Sequence, residues 1–146
     1  FREFIELLNA ANVNYVVAGA YAVAFHGIPR YTKDIDFFVE PSPENARRVA
    51  DVLKQFGFEG LGLTAEDLSK PDQIVQLGRE PVRIDILTGV EGLTFDEAIA
   101  DCKQIEIGGV TIRFLGRKTL IQNKRAVGRP QDIADVARLE ELERDR

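Results

Sequence analysis

The stretch RYTKDIDFFVE, residues 30–40, places two aspartates in a run whose other members are typical of a buried β-strand. Because residues i and i+2 of a strand point to the same side, Asp34 and Asp36 share one face, whereas Ile35 and Phe37 share the other. Two like charges at this spacing repel each other, and partial burial adds a desolvation cost to both. We therefore expect a fold that buries the apolar face of this strand and brings positive charge to its acidic face.

Two sources of positive charge could meet this acidic face. One is a divalent cation bound by the carboxylates of Asp34 and Asp36. The other is the pair of basic side chains immediately upstream, Arg30 and Lys33. In this second alternative, Asp34 forms an ion pair with Arg30 or Lys33 at a solvated end of the strand. A D-x-D pair on its own does not distinguish the two.

A third carboxylate lies in VRIDIL, residues 82–87, where Arg83 and Asp85 alternate with apolar side chains and therefore share one face of a strand. If this strand neighbours the first one, Asp85 approaches Asp34 and Asp36. Three carboxylates on adjacent strands would form the oxygen-rich kind of site that Mg²⁺ or Mn²⁺ prefers. In the alternative interpretation, Arg83 neutralises Asp85 locally and no metal is involved.

Hydrophobic periodicity predicts alternating helices and strands along the chain. Strands are predicted at 14–18, 34–40, 73–78 and 82–88, with a hairpin over 103–116 that turns at Gly108-Gly109. Helices are predicted at 1–11, 20–27, 42–57, 94–102, 117–128 and 130–146. The segment 60–71 is expected to be a loop or a short helix. The pattern indicates one α+β domain over residues 1–146, with a mixed β-sheet, flanking helices and a helical C-terminus.

Composition excludes several classes of protein. The formal net charge of −5 argues against a protein that coats DNA, and Cys102, the single cysteine, fits a reducing cytoplasm. No apolar run approaches the roughly 18 residues that a membrane span needs, so no membrane association is expected. The sequence opens at Phe1 inside a helical pattern and contains no methionine, so we expect that further residues precede it.

A glycine turn precedes the aspartates. In VVAGAYAVAFHG, residues 16–27, an apolar strand ends at Gly19 and a helix of small residues follows. Backbone N–H groups at such a turn point outward and favour anions, phosphates in particular. A phosphate-binding turn and an acidic pair suited to metal are thus predicted in adjacent segments.

This order resembles the nucleotidyltransferase superfamily, in which a strand, a Gly-[Gly/Ser] turn, a helix, a D-x-D strand and a later aspartate form the active site. The chain is most similar to its small prokaryotic branch, which includes abortive-infection (AbiEii-type) toxins and minimal nucleotidyltransferases. The matching stretches are VVAGAYAVAFHG, RYTKDIDFFVE, VRIDILTGVEGLTFDEA and FLGRKTLIQNKRAVGRPQDIADVARL. They cover most of the chain, and their joint order is more specific than any one of them.

The resemblance implies a nucleotidyltransferase-like fold and assigns roles to several residues. Asp34 and Asp36 would bind the catalytic Mg²⁺ or Mn²⁺ ions, and Asp85 would be the third ligand and the base. Gly19 and Ala20 would cradle the phosphates of the nucleotide. Ala20 departs from the family pattern, because the backbone N–H remains but a serine hydroxyl that could touch phosphate is absent.

The implied reaction moves a nucleoside monophosphate from a nucleoside triphosphate (NTP) to a hydroxyl acceptor on tRNA, protein or a small molecule. The enzyme could be the toxin of a toxin–antitoxin pair, with an antitoxin as partner. The alternative is an inactive nucleotidyltransferase-like module that binds a nucleotide or a partner. Retention of Asp34, Asp36 and Asp85 favours an active enzyme over that module.

Three more residues are candidates for nucleotide binding, each with a structural alternative. Arg30 could bind the triphosphate or act as a counter-charge for folding. Thr32 could touch phosphate, support an aspartate, or be an ordinary β-branched strand residue. Lys124 lies on the buried side of a predicted helix, so its ammonium either reaches the β- or γ-phosphate or extends to water while its stem covers apolar surface.

Overall fold

The computed structural model describes residues 1–58, 64–79 and 82–145. The helices are α1 (Arg2–Ala10), α2 (Gly19–Phe25), α3 (Pro43–Gln55), α4 (Ala65–Ser69), α5 (Phe95–Asp101), α6 (Arg117–Val127) and α7 (Pro130–Arg144). The strands are β1 (Tyr15–Ala18), β2 (Asp34–Val39), β3 (Ile74–Arg79), β4 (Val82–Leu87), β5 (Lys103–Ile107) and β6 (Val110–Phe114). The short helix expected within 60–71 is α4, while residues 60–63 of that segment lie outside the described residues.

The strands form one mixed six-stranded sheet in the order β3-β4-β2-β1-β6-β5. β1 pairs antiparallel with β2 and parallel with β6, and β2 pairs parallel with β4. The edge strands β3 and β5 pair antiparallel with β4 and β6. The predicted α+β class, with a mixed sheet, flanking helices and a helical C-terminus, is confirmed. The strands that carry the three aspartates lie next to each other, as predicted.

Local sequence signals set several element boundaries. The hydroxyl of Ser42 accepts a hydrogen bond from the backbone N–H of Asn45, and Pro43 occupies the first position of α3. Thr94 and Glu97 form a reciprocal capping box at the start of α5. The hairpin between β5 and β6 turns at Gly108-Gly109, where φ values of 56° and 83° suit glycine.

Each face of the sheet covers its own hydrophobic core. On one face, α1 and α3 pack over strand side chains that include Tyr15, Val17, Ile35, Phe37, Val39, Ile84 and Ile86. On the other face, α2, α5, α6 and α7 pack over Val16, Ala18 and Phe38. Since Asp34 and Asp36 alternate with Ile35 and Phe37, both aspartates belong to the second face. Among the described residues, no helix combines the length and apolar character needed to cross a bilayer.

Candidate active site

The three predicted aspartates meet at one end of the central strands. The parallel register of β2 and β4 places Asp36 opposite Asp85 and Asp34 opposite Arg83. On the other side of β2, Ala18 at the end of β1 is opposite Asp36. Asp85 is 8% exposed, while Asp34 and Asp36 are half-buried. We call Asp34, Asp36 and Asp85 the carboxylate group.

Arg83 supplies positive charge to the carboxylate group. Its Nε lies 3.0 Å from Oδ1 of Asp85, and its Nη2 lies 3.2 Å from Oδ2 of Asp34. Local neutralisation of Asp85 by Arg83, one of the alternatives from the sequence, is therefore present. The other expected counter-charges lie elsewhere: Arg30 forms an ion pair with Asp135, and the Lys33 ammonium lies over the ring of Tyr31.

The crowding of the three carboxylates changes the pKa of Asp36. Burial raises the pKa of its carboxyl to about 7, together with the charge of Asp85, a side-chain hydrogen bond to Asp85 and the charge of Asp34. Arg83 opposes this rise without cancelling it. With a pKa of about 7, a fraction of Asp36 is protonated at neutral pH, and this form can donate the hydrogen bond to Asp85. A further positive charge beside this pair would favour loss of that proton.

Gly19, which directly follows β1, lies against the carboxylate of Asp36. Its φ of +64° falls in the left-handed region, which favours glycine. A Cβ atom at this position would collide with Oδ2 of Asp36. The absent side chain therefore provides the room that the Asp36 carboxylate occupies. Ala20 follows as the second residue of α2 and is half-buried.

Thr32 organises the entry into β2. Its hydroxyl accepts a hydrogen bond from the backbone N–H of Asp34 at 3.1 Å and lies 3.2 Å from the carbonyl oxygen of Asp34. One of the alternatives from the sequence, support of an aspartate, is thus present as a contact to the backbone of Asp34, and the phosphate contact stays a prediction.

Lys124 and Arg30 belong to a second charged group. The Lys124 ammonium lies 2.9 Å from Asp135 and 3.3 Å from Asp132, and the side chain of Arg30 contacts Asp135 through two nitrogens at 2.6 and 3.2 Å. Arg129 completes the group with a 2.7 Å contact to Asp132. We call these five residues the ion-pair cluster. It joins the segment before β2 to α6 and α7.

The ion-pair cluster overturns one alternative for Lys124. Lys124 is only 8% exposed and its ammonium is held by carboxylates, so it does not extend to water. The hydrogen bond from Arg129 lowers the pKa of Asp132 to about 2 despite burial. Sequence reasoning missed Asp132 and Asp135, although their i, i+3 spacing on a helix that follows a basic segment was the available signal.

A family model for nucleotidyl transferases of unknown function (DUF2204) matches residues 1–146. The chain belongs to this nucleotidyl transferase family. The predicted superfamily is therefore confirmed, whereas its abortive-infection toxin branch stays a prediction. Among curated proteins, no sequence match reaches significance.

Solved structures share the fold of this family member at low sequence identity. A candidate nucleotidyltransferase from Thermotoga maritima superposes with a TM-score of 0.62 at 18% identity, covering 99% of this chain and 91% of that one. The lincomycin-bound lincosamide antibiotic adenylyltransferase LnuA gives 0.57 at 14% identity, with 96% and 94% coverage. An antigenic nucleotidyltransferase-like protein from Paracoccidioides brasiliensis gives 0.59 at 13% identity, with 97% and 73% coverage. These likenesses establish the nucleotidyltransferase-like fold.

The carboxylate group of this nucleotidyl transferase family member has the donor chemistry of a metal site. Oδ1 of Asp34 is buried and lacks a hydrogen-bond partner among the described residues, which leaves an acceptor that a cation would satisfy. Within the same described ranges, no group of three or more His, Cys, Asp or Glu side chains is arranged to hold a metal ion as it stands. The ligand types fit Mg²⁺ or Mn²⁺, but the guanidinium of Arg83 contacts Oδ2 of Asp34 and both carboxylate oxygens of Asp85.

Proposed function

We propose that this protein is a metal-dependent nucleotidyltransferase that moves a nucleoside monophosphate from an NTP to a hydroxyl acceptor. The observation that carries the proposal is the crowding of Asp34, Asp36 and Asp85 beside the glycine turn. Carboxyls with a strongly raised pKa, as that of Asp36 is, cluster at functional sites. Family membership supports the reaction class.

In this proposal Asp34 and Asp36 hold Mg²⁺ or Mn²⁺, and Asp85 is the third ligand. The metal ions, when bound, neutralise charge on the phosphates and acidify the acceptor hydroxyl. Asp85 accepts the hydroxyl proton as the acceptor oxygen bonds to the α-phosphorus and pyrophosphate leaves. The protein otherwise contributes positioning and electrostatic stabilisation, which phosphoryl-type transfer chiefly needs.

The nucleotide phosphates would lie against the turn of Gly19 and Ala20. The missing hydroxyl at Ala20 leaves the backbone N–H groups as the donors there. Thr32 holds the backbone of Asp34 in register for this site. Arg30 and Lys124 would bind phosphate by exchanging their carboxylate partners for phosphate oxygens, since both lie in a cluster in which cations outnumber carboxylates.

The acceptor is proposed to be a hydroxyl on tRNA, protein or a small molecule. LnuA is a lincosamide antibiotic adenylyltransferase in complex with lincomycin, and a small-molecule hydroxyl is therefore one of the acceptors to test here. If this enzyme is a toxin, its antitoxin can be identified as a protein that suppresses the labelling described in the next paragraph. A reducing cytoplasm is the proposed compartment, in keeping with the single cysteine.

The test is to incubate the protein with each α-labelled NTP and Mg²⁺ in the presence of total RNA, total protein or candidate small molecules. We expect label on one class of acceptor, with pyrophosphate released. Matched variants Asp36→Asn and Asp85→Asn should abolish the labelling while the protein stays folded. Label that persists in both variants would remove the carboxylate group from the mechanism.

One observation favours the alternative of an inactive binding module. The guanidinium of Arg83 already pairs with Asp34 and Asp85, so the carboxylates are partly neutralised without a metal ion. Isothermal titration of NTP with and without Mg²⁺ separates the two functions. Tight NTP binding that is independent of Mg²⁺, with no label transferred to any acceptor class, would establish the binding module.

A further inference from the structure

Arg83 contacts the oxygens that the proposed metal ions need. Its Nε and Nη2 lie 3.0 and 3.4 Å from the two carboxylate oxygens of Asp85. The same Nη2 lies 3.2 Å from Oδ2 of Asp34. One guanidinium therefore links the first and third members of the carboxylate group. Metal ligation at about 2.0–2.1 Å would bring a second cation to these oxygens.

We propose that Arg83 is a resident counter-cation that keeps the carboxylate group assembled without metal, and that a divalent metal ion binds by displacing its guanidinium. Arg83 thereby sets the affinity of the site for metal. The inference rests on the proposed function, because it takes the carboxylate group to be a metal site. It adds a regulatory role for a residue that the proposed reaction does not use.

The strand register explains why the competition is direct. Arg83 lies opposite Asp34 and two residues before Asp85, so its side chain emerges on the same face as all three carboxylates. A guanidinium and a metal ion that share these oxygens would lie only a few ångströms apart and repel each other. The arginine must move away for the metal ion to gain the full attraction of the carboxylates.

The guanidinium of Arg83 can move out of the site toward solvent. The Arg83 side chain is 28% exposed, whereas that of Asp85 is 11% exposed. A long side chain with one part in solvent can change rotamer while its backbone stays in β4. The metal ion then replaces Arg83 as the counter-charge. Oδ1 of Asp34, which has no partner among the described residues, offers a further ligand.

The experiment measures Mn²⁺ binding directly, by isothermal titration or by electron paramagnetic resonance of free Mn²⁺, on EDTA-stripped protein without nucleotide. Arg83→Gln removes the charge and keeps a polar side chain of moderate length. We expect its Kd for Mn²⁺ to be at least about fivefold lower than that of the parent. This factor corresponds to the interaction of two unit charges about 4 Å apart in water. Arg83→Lys should lie between the two.

The matched control is Arg113→Gln on β6. Arg113 donates to the carbonyl oxygens of Val13 and Tyr15 and does not touch the carboxylate group. This variant should lose stability and keep the Mn²⁺ affinity of the parent. In EDTA, Arg83→Gln should melt below the parent, and Mn²⁺ should raise its melting temperature more than that of the parent.

The outcomes separate this inference from the proposed function. Mn²⁺ binding by Arg83→Gln that is equal to or weaker than binding by the parent would overturn the inference and leave the metal site standing. Absence of Mn²⁺ binding in both proteins, or unchanged binding in Asp36→Asn, would overturn both. If Arg83→Gln does not fold in EDTA, refolding with Mn²⁺ should rescue it, and failure of that rescue would count against the inference.

Discussion

The protein contains two charged groups that are wholly or partly buried and in which the balance of acidic and basic side chains is opposite. In the carboxylate group, three acids face Arg83, and the pKa of Asp36 is raised to about 7. In the ion-pair cluster, three cations face two acids, and the pKa of Asp132 is lowered to about 2. The first group lowers its free energy when it gains a cation, whereas the second has already neutralised its carboxylates. The carboxylate group therefore favours a further cation, whereas the ion-pair cluster holds one more cation than it has carboxylates.

The largest expected difference is in catalysis. Under the proposed function, Asp36→Asn should lower the rate of nucleotide transfer by roughly 10²–10⁴-fold. It would remove a metal ligand, and a bound metal ion brings several kcal/mol of charge stabilisation to the transition state. Its unfolding free energy without ligand should stay equal or rise, since one of two crowded carboxylates is gone. Rates from labelled NTP and chemical denaturation in EDTA measure the two effects. A strong loss of apo stability would show that Asp36 serves folding instead.

The converse is expected in the ion-pair cluster. Asp135→Asn should lower the unfolding free energy by about 3–5 kcal/mol, because it removes the carboxylate that Lys124 and Arg30 share and leaves Asp132 alone against three cations. Urea denaturation at constant pH measures the loss. Glu140→Gln is the matched control, since its partner Arg125 is exposed and the loss there should be under about 1 kcal/mol. Equal losses in the two variants would remove the distinction between a buried and an exposed pair.

The pH dependence of stability should differ between the two groups. The raised pKa of Asp36 means that its contribution to stability is fully present below its unfolded value near 3.8 and is lost as pH rises toward 7. Between pH 5.5 and 8 this loss amounts to about 2 kcal/mol. The lowered pKa of Asp132 gives the opposite sign, and its contribution is lost only as pH falls from about 3.8 toward about 2.

Denaturation of the parent and Asp36→Asn in EDTA at pH 5.5 and 8 checks this prediction. The parent should gain stability at the lower pH relative to the variant, while the ion-pair cluster contributes equally at both. If the unfolding free energies of the two proteins change equally between the two pH values, the pKa of Asp36 is the same in the folded and unfolded states.

The smallest effect is expected at the turn. Gly19→Ala should lower the unfolding free energy by about 1–2 kcal/mol, because an L side chain is strained at a φ of +64° and the added Cβ would press on the Asp36 carboxylate. Nucleotide binding should weaken at the same time. Gly128→Ala is the control for strain alone, because Gly128 has a similar φ of +69° and a Cβ there would meet nothing closer than 3.5 Å. Equal effects at both positions would show that contact with Asp36 does not matter.

Much of the fold and part of the site followed from local sequence. The i, i+2 spacing of Asp34 and Asp36 determined that they share a face, and the cap at Ser42 and the Gly108-Gly109 turn determined where elements begin and end. These features depend on backbone geometry within a few residues, and every fold that contains them must respect that geometry. The order of the four matching stretches determined the family.

Only the tertiary structure decided which charges meet. Arg83 pairs with Asp34 because β2 and β4 are parallel neighbours in one particular register, and a shift of one residue would have turned Arg83 to the other face. Arg30 meets Asp135 across 105 residues of chain, so no local pattern could select that partner over Asp34. Long-range ion pairs depend on how elements pack, and packing is a property of the whole chain.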